Sequence, residues 1–286
     1  MRLAMFRRNG IPGIAAAENQ EFRGITEDHP DYPGSLDRLL AQGSDLNAVA
    51  KRLLDDAPVI DLGSVTLLPP LQAPGKILCI GLNYADHSAE AGFDAPAYPT
   101  VFTRFTSTLV AHKAPLVRPA QSEQFDYEGE MVAVIGRGGR YIQQDQALDH
   151  VAAYSIFNDV SVRDYQFKSP QWTMGKNFDH TGAFGPWLVT AESLPEGARG
   201  LRLQTRLNGD VVQDAVTDDM IFDVATLVSL ISEVMTLEAG DIIVTGTPSG
   251  VGMARKPPLY MKAGDRCEVD IEGIGVLSNT VSDEQR

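Results

Sequence analysis

The chain has 286 residues, 43% hydrophobic and 22% charged, which is the balance of an ordinary globular protein with ample material for a core. A formal net charge of −14 disfavours nucleic acid and acidic lipid as partners, while leaving room for a local basic pocket that takes a small anion. The only cysteines, Cys79 and Cys267, lie far apart in apolar strand-like runs, the pattern of two buried thiols in a reducing compartment rather than of a disulfide framework.

The N-terminus, Met1 to Gly10, lacks the apolar core of a signal peptide, and no run is long enough to span a bilayer, so the expected setting is the cytoplasm, with no membrane partner. Residues 1–70 read as a small first unit: a short strand Leu3–Arg7, a Gly-Pro turn, an acidic proline-rich segment, a helix from Leu36 to Leu54, and a strand from Asp61 to Leu68. Pro69-Pro70 and Ala73-Pro74-Gly75 punctuate the chain, because proline fixes φ and removes a donor, and set the boundary of a second domain at 75–286. Strands are then expected at Ile77–Ile80, Thr100–Phe105, Met131–Ile135, Val151–Asn158, Phe184–Thr190 and Leu201–Asn208, with a hairpin turn at Asn208-Gly209-Asp210. Apolar residues Val224, Leu227, Val228, Ile231 and Val234 recur at helical spacing and predict a helix over Phe222–Met235. A strand Asp241–Thr245, a glycine-rich stretch to Gly252, and strands Arg266–Ile271 and Gly275–Thr280 close the chain. With so few helices, an antiparallel or mixed α+β roll fits better than a doubly wound parallel sheet.

Four stretches carry candidate chemistry. In Asp126-Tyr127-Glu128-Gly129-Glu130, a strand would project Glu128 and Glu130 side by side and turn Met131, Ala133 and Ile135 the other way into a core. Either both carboxylates are solvated or a cation lies between them; with Asp159 at the end of the next strand, the second reading becomes an all-oxygen site for Mg²⁺ or Mn²⁺, and less so for Ca²⁺. A helical turn starting at Tyr84 would place His87 and Glu90 on one face, either as an oriented general base or as an ordinary surface pair. Arg163 and Lys176, close in sequence to Asp159, suit a bound carboxylate or enolate oxygen, or simple surface salt bridges. Thr245-Gly246-Thr247-Pro248-Ser249-Gly250-Val251-Gly252 offers backbone N–H groups and the Thr247 hydroxyl to an anion, or is a tight loop that needs positive φ.

Taken in order, these stretches resemble the fumarylacetoacetate hydrolase family. The matching residues are Gly81 to Glu90, Asp126 to Glu130, Asn158 to Gln166, Trp172 to Asp179, Asp219 to Phe222 and Gly240 to Gly252; the resemblance covers roughly residues 75 to 282. It implies a β-rich mixed-sheet roll, preceded by a small N-terminal α+β domain, and commonly a homodimer. It assigns Glu128, Glu130 and Asp159 as ligands of Mg²⁺ or Mn²⁺, and His87 and Glu90 as a dyad on a helix that orders over bound substrate and activates water. Lys176 becomes an enolate-stabilising catalytic group; Arg163, Gln166 and Thr247 become contacts to a small anionic 2-oxo acid. Arg104, where many members carry lysine, is expected to bear on the length and charge of the accepted acyl group. The leading expectation is hydrolysis of a 2,4-dioxo acid to pyruvate and a carboxylic acid; the alternative is decarboxylation of an oxaloacetate-like acid, or isomerisation of an unsaturated 2-oxo diacid, on the same fold.

Overall fold

The computed structural model describes residues 1–85 and 96–285. Its largest feature is a mixed sheet whose main path runs Val59–Ile60, Phe22–Thr26, Ile11–Ala17, Arg2–Arg8, Gly182–Thr190, Val151–Asp159, Gly129–Ile135, Ile242–Val244, Ile77–Gly81 and Thr100–Arg104. Neighbours on this path are antiparallel except for Ile242–Val244 and Ile77–Gly81, which run parallel. A second sheet orders Asp210–Val216, Arg202–Leu207, Arg266–Ile271, Gly275–Asp283 and Leu116–Arg118. The architecture is the β-rich α+β roll expected from the sequence.

The strand Gly129–Ile135 lies near the middle because every residue in it is buried, on both faces. Met131, Ala133 and Ile135 join one core with Leu203, Val269, Ile271 and Leu277 of the second sheet and with Leu227, Val228 and Ile231 of the helix Val224–Val234. Val132 and Val134 face the opposite way into a second core, closed by Leu36, Leu39, Leu40, Leu46, Ala50 and Leu53. At about 1.5–3 kcal/mol for each large aliphatic side chain removed from water, this two-sided burial is what fixes the strand's register.

Several local expectations were met for local reasons. Leu207 pairs with Asp210 across Asn208 and Gly209, whose φ values of 55° and 94° are those of a two-residue hairpin turn. The helix Val224–Val234 starts at Asp223, whose side chain accepts from the Thr226 N–H. Other segments differ. The helix read as continuous from Leu36 is two helices, Leu36–Ala41 and Leu46–Asp56, separated at Gly43 (φ 68°), with Asp45 capping the second through the Asn47 and Ala48 N–H groups. The region read as a Gly-Pro turn and acidic segment contains the strands Ile11–Ala17 and Phe22–Thr26. Asp61–Leu68 is a 3₁₀ turn, Leu62–Ser64, followed by the two-residue strand Thr66–Leu67. Strand Arg2–Arg8 pairs directly with Gly182–Thr190, so the first seventy residues extend the same sheet. Cys79 and Cys267 are both buried and free, and no described helix is long and apolar enough to cross a membrane.

Candidate metal centre and substrate cavity

Strand register gathers the three carboxylates. Gly129 lies opposite Asn158 and Glu130 opposite Phe157, so the chain just outside that pairing brings Glu128 and Asp159 together, with the Asp159 N–H donating to the Glu128 carbonyl at 2.8 Å. Ligand oxygens of Glu128, Glu130 and Asp159 lie within 4.8 Å of one another, and all three residues are buried. Gly129 is required between them: a Cβ there would meet Thr205 Oγ1 at 2.1 Å and Val269 Cγ1 at 3.0 Å, so the missing side chain lets the second sheet pack closely behind the ligands.

Each carboxylate is held differently. Lys176 Nζ, from the short helix Thr173–Lys176, donates to Glu128 Oε2 at 2.5 Å and to Asp159 Oδ2 at 2.6 Å. The other oxygen of Glu128 pairs with Arg163 Nη1 at 2.7 Å. The other oxygen of Asp159 accepts from Arg104 Nη1, and that guanidinium also donates to the Val160 carbonyl at 3.1 Å and to Thr181 Oγ1 at 2.7 Å. Glu130 has no cationic partner among the described residues; its Oε2 accepts from the Gly246 N–H at 2.5 Å, which Gly246 can present at φ 102°.

The electrostatics follow from these contacts. Burial, reinforced by the charges of Asp159 and Glu128, raises the Glu130 carboxyl well above the usual carboxylate range. For Lys176, burial alone would lower the pKa, but Asp159 and Glu128 outweigh it and hold the ammonium above its ordinary value. Three clustered, buried carboxylates, one of them without a counter-charge, form an oxygen donor set that a hard divalent cation completes. The residues present fit Mg²⁺ or Mn²⁺.

A cavity of about 320 Å³ opens onto this cluster and is lined by Glu128, Glu130, Arg163, Gln166, Lys176 and Thr247. Arg163 donates through Nε to Asp126 Oδ2 at 2.8 Å and through Nη1 to Gln166 Oε1 at 2.9 Å, while its buried Nη2 has no partner among the described residues. Thr247 lines the cavity, but its hydroxyl donates to the Gly129 carbonyl at 3.0 Å and accepts from Gln213 Nε2 at 2.8 Å. Arg104 is not in the cavity wall. Expected among the substrate contacts, it instead braces Asp159 from behind, because its guanidinium is buried among Asp159, Val160 and Thr181. His87 and Glu90 fall within 86–95, outside the described residues, and so does most of the helix expected to start at Tyr84; the preceding Ile80, Gly81 and Leu82 form part of the cavity wall.

The glycine-rich stretch is the tight loop needing positive φ that was one of its two readings, with Gly246 at 102° and Gly250 at 99°. Its N–H groups do approach anions, but these are the chain's own: Gly246 serves Glu130, and Gly252 and Met253 donate to Asp126 at 2.7 and 2.9 Å. Asp126, Asn158 and Gln213 are supporting residues that sequence reasoning did not single out. Asn158 Oδ1 accepts from the Glu128 N–H at 3.0 Å, and Gln213 Oε1 from the Gly129 N–H at 3.0 Å, so both pin the backbone that carries the ligands. Asp126, inside the Asp-Tyr-Glu-Gly-Glu run, and Asn158, at the start of the Asn158 to Gln166 stretch, carried a signal; Gln213 carried none.

The family profile described as fumarylacetoacetate (FAA) hydrolase C-terminal matches residues 76–282. The chain is 39% identical over 288 residues to oxaloacetate tautomerase FAHD2A, mitochondrial, of Bos taurus, covering 98% of this chain and 91% of that one. Among solved structures, fumarylacetoacetate hydrolase from the psychrophilic Exiguobacterium antarcticum matches with a TM-score of 0.88 and 37% identity, covering 99% of this chain and 100% of that one. Maleylpyruvate hydrolase from Sphingobium sp. SYK-6, in complex with manganese (II) ion and pyruvate, matches with a TM-score of 0.82 and 28% identity over the whole of both chains. Their common ground with the buried carboxylate cluster described above is the fumarylacetoacetate hydrolase family, to which this chain belongs.

Proposed function

We propose that the chain enolises a small anionic 2-oxo acid of the oxaloacetate type, interconverting its keto and enol forms or releasing CO₂ from it, with Mg²⁺ or Mn²⁺ held by Glu128, Glu130 and Asp159. The observation that carries this reading is the cavity in which Arg163 keeps a buried, unpartnered Nη2 among the described residues, beside Lys176 and the carboxylate cluster. A buried guanidinium donor lacking an acceptor is completed by a substrate carboxylate, with the charge-assisted geometry that arginine provides. When bound, the divalent cation supplies positive charge that favours the enolate form of the substrate over its keto form. Lys176 stays protonated and adds a second fixed charge to the same end of the cavity rather than accepting a proton. Enolisation moves a proton from C3 to the C2 oxygen; His87 with Glu90, the pair expected from the sequence to activate water, is here proposed as the acceptor at C3 instead.

This choice departs from the leading sequence expectation of acylpyruvate hydrolysis. The bovine relative, matched over nearly its full length, is named an oxaloacetate tautomerase, which supports the alternative more than the hydrolytic reading. Acylpyruvate cleavage is a second reading, favoured by the maleylpyruvate hydrolase neighbour that holds manganese and pyruvate. A homodimer in a reducing compartment completes the proposal, the two buried free thiols supporting the compartment and the family resemblance the dimer. The test is a panel read by enol absorbance, CO₂ and pyruvate. Metal-dependent ketonisation or decarboxylation of oxaloacetate, faster than acylpyruvate cleavage, is expected; acylpyruvate cleavage dominating the panel, or turnover untouched by chelation, overturns it.

A further inference from the structure

Asp126 is buried and lies outside the cavity wall. Its short strand, Phe125–Asp126, runs antiparallel to Ser161–Val162 with Asp126 opposite Ser161, a register that brings the carboxylate to Arg163, the residue directly after the partner strand. Oδ2 accepts from Arg163 Nε at 2.8 Å and from the Met253 N–H at 2.9 Å; Oδ1 accepts from the Gly252 N–H at 2.7 Å and the Tyr127 N–H at 2.9 Å. Gly252 suits this approach, since a Cβ there would meet Asp126 Oδ1 at 2.6 Å. One carboxylate therefore ties the guanidinium of the cavity to the turn that gives its wall Val251, Met253 and Ala254.

The donors of Arg163 divide unevenly. Nε goes to Asp126, and Nη1 serves Glu128 Oε1 at 2.7 Å and Gln166 Oε1 at 2.9 Å, while Nη2 is buried with no partner among the described residues. We infer that Asp126 is a positioning residue for the substrate: by holding Nε it fixes the plane of the guanidinium, so that the Nη2 edge is the one left to take a substrate carboxylate. The inference deepens the proposed function and rests on its assignment of Arg163. A planar fork bound at one nitrogen can still pivot about it, and a second acceptor on Nε removes that freedom. Glu128 and Gln166 both meet Nη1, so neither replaces Asp126. Burial would lower the Arg163 pKa, but Asp126 and then Glu128 outweigh it and hold the group above its ordinary value, so the donor offered to an anion stays charged. Were Asp126 only a clamp for the turn at Gly252 and Met253, its loss would weaken the site with or without Arg163. Acting through Arg163, it has nothing left to contribute once that side chain is gone.

The experiment is isothermal titration calorimetry of the protein at saturating Mg²⁺ with oxalate, which offers the carboxylate and adjacent oxygen of a 2-oxo acid but has no C3 hydrogen and cannot react. Asp126→Asn and Arg163→Gln are each expected to weaken oxalate by about 10–100-fold. The double variant should bind no worse than Arg163→Gln, within about twofold. A folded Asp126→Asn protein that keeps its oxalate affinity within about twofold overturns the inference, and so does a double variant in which the two losses add. Should Asp126→Asn not fold, Arg163→Ala decides. With Asp126 intact, millimolar guanidinium should occupy the emptied place and restore oxalate binding to within about tenfold of the unaltered protein; no recovery counts against the positioning role. Failure of oxalate to bind the unaltered protein, or indifference of its binding to Arg163→Gln, refutes the substrate reading itself and this inference with it.

Discussion

Replacing Glu130 by glutamine should move stability in opposite directions with and without divalent metal. In the ion-free protein Glu130 faces Glu128 and Asp159 with oxygens within 4.8 Å, and at an effective dielectric of 20 each such pair repels by about 3.5 kcal/mol. Lys176, Arg163 and Arg104 cancel much of the charge on Glu128 and Asp159, leaving a net repulsion of about 1–3 kcal/mol for Glu130 to relieve. Glutamine keeps an oxygen to accept from the Gly246 N–H, so the substitution removes charge without orphaning that donor. At roughly 2 °C per kcal/mol for a chain of this size, the Tm in EDTA should rise by about 2–6 °C. Mg²⁺ at a hundred times its Kd stabilises the unaltered protein by about 2.7 kcal/mol, and the variant should lose nearly all of that shift. Thermal unfolding with EDTA and with excess Mg²⁺ reads both arms. A lower Tm in EDTA together with an intact Mg²⁺ shift would refute the reasoning, because Glu130 would then be neither crowded by charge nor a ligand.

Three further outcomes are expected. Arg104→Met removes the brace behind Asp159 without altering the cavity wall, so Mg²⁺ affinity by calorimetry should fall about 10–100-fold; a folded variant with unchanged affinity contradicts the bracing role. Gly129→Ala forces a Cβ to within 2.1 Å of Thr205 Oγ1, and should cost about 1–3 kcal/mol of stability, read as a lower Tm; an unchanged Tm would show that the strand has slack. His112 accepts from the Ser278 N–H at 3.1 Å, and burial, followed by the Lys113 charge, lowers its pKa from 6.5 to about 4. Its folded pKa lies below the unfolded one, so its contribution is complete above about pH 6.5 and is lost as pH falls towards 4, by at most about 3 kcal/mol and about 1–2 after allowing for its partial exposure. Urea denaturation across that range should show a steeper loss for the unaltered protein than for His112→Asn, and parallel curves would exclude the ring.

What was legible in the sequence was what short-range physics encodes. The Asn208-Gly209 turn follows from tolerance of positive φ, the helix Val224–Val234 from its apolar spacing, and the pairing of Glu128 with Glu130 from strand alternation. The strands Ile11–Ala17 and Phe22–Thr26 were not legible, since an alanine-rich run beside Gly-Pro gives no period-two pattern and is fixed by pairing with Arg2–Arg8. Long-range partners were hidden for the same reason. Nothing local announces that Arg104 will meet Asp159, 55 positions on, or that the glycine-rich stretch will hold Glu130 and Asp126 instead of a ligand. The carboxylates and the nearby cations Arg163 and Lys176 could be named in advance; the bracing role of Arg104 and the backbone-pinning Asn158 and Gln213 could not.

The most direct test of the central claim follows hydrogen–deuterium exchange at C3 of oxaloacetate by NMR, in D₂O, with Mg²⁺ or with EDTA. The account predicts rapid exchange in the presence of Mg²⁺, its loss in EDTA, and its loss in Glu128→Ala even at saturating Mg²⁺. Exchange that persists without metal or without Glu128, or none in a protein that cleaves acylpyruvates readily, would contradict it.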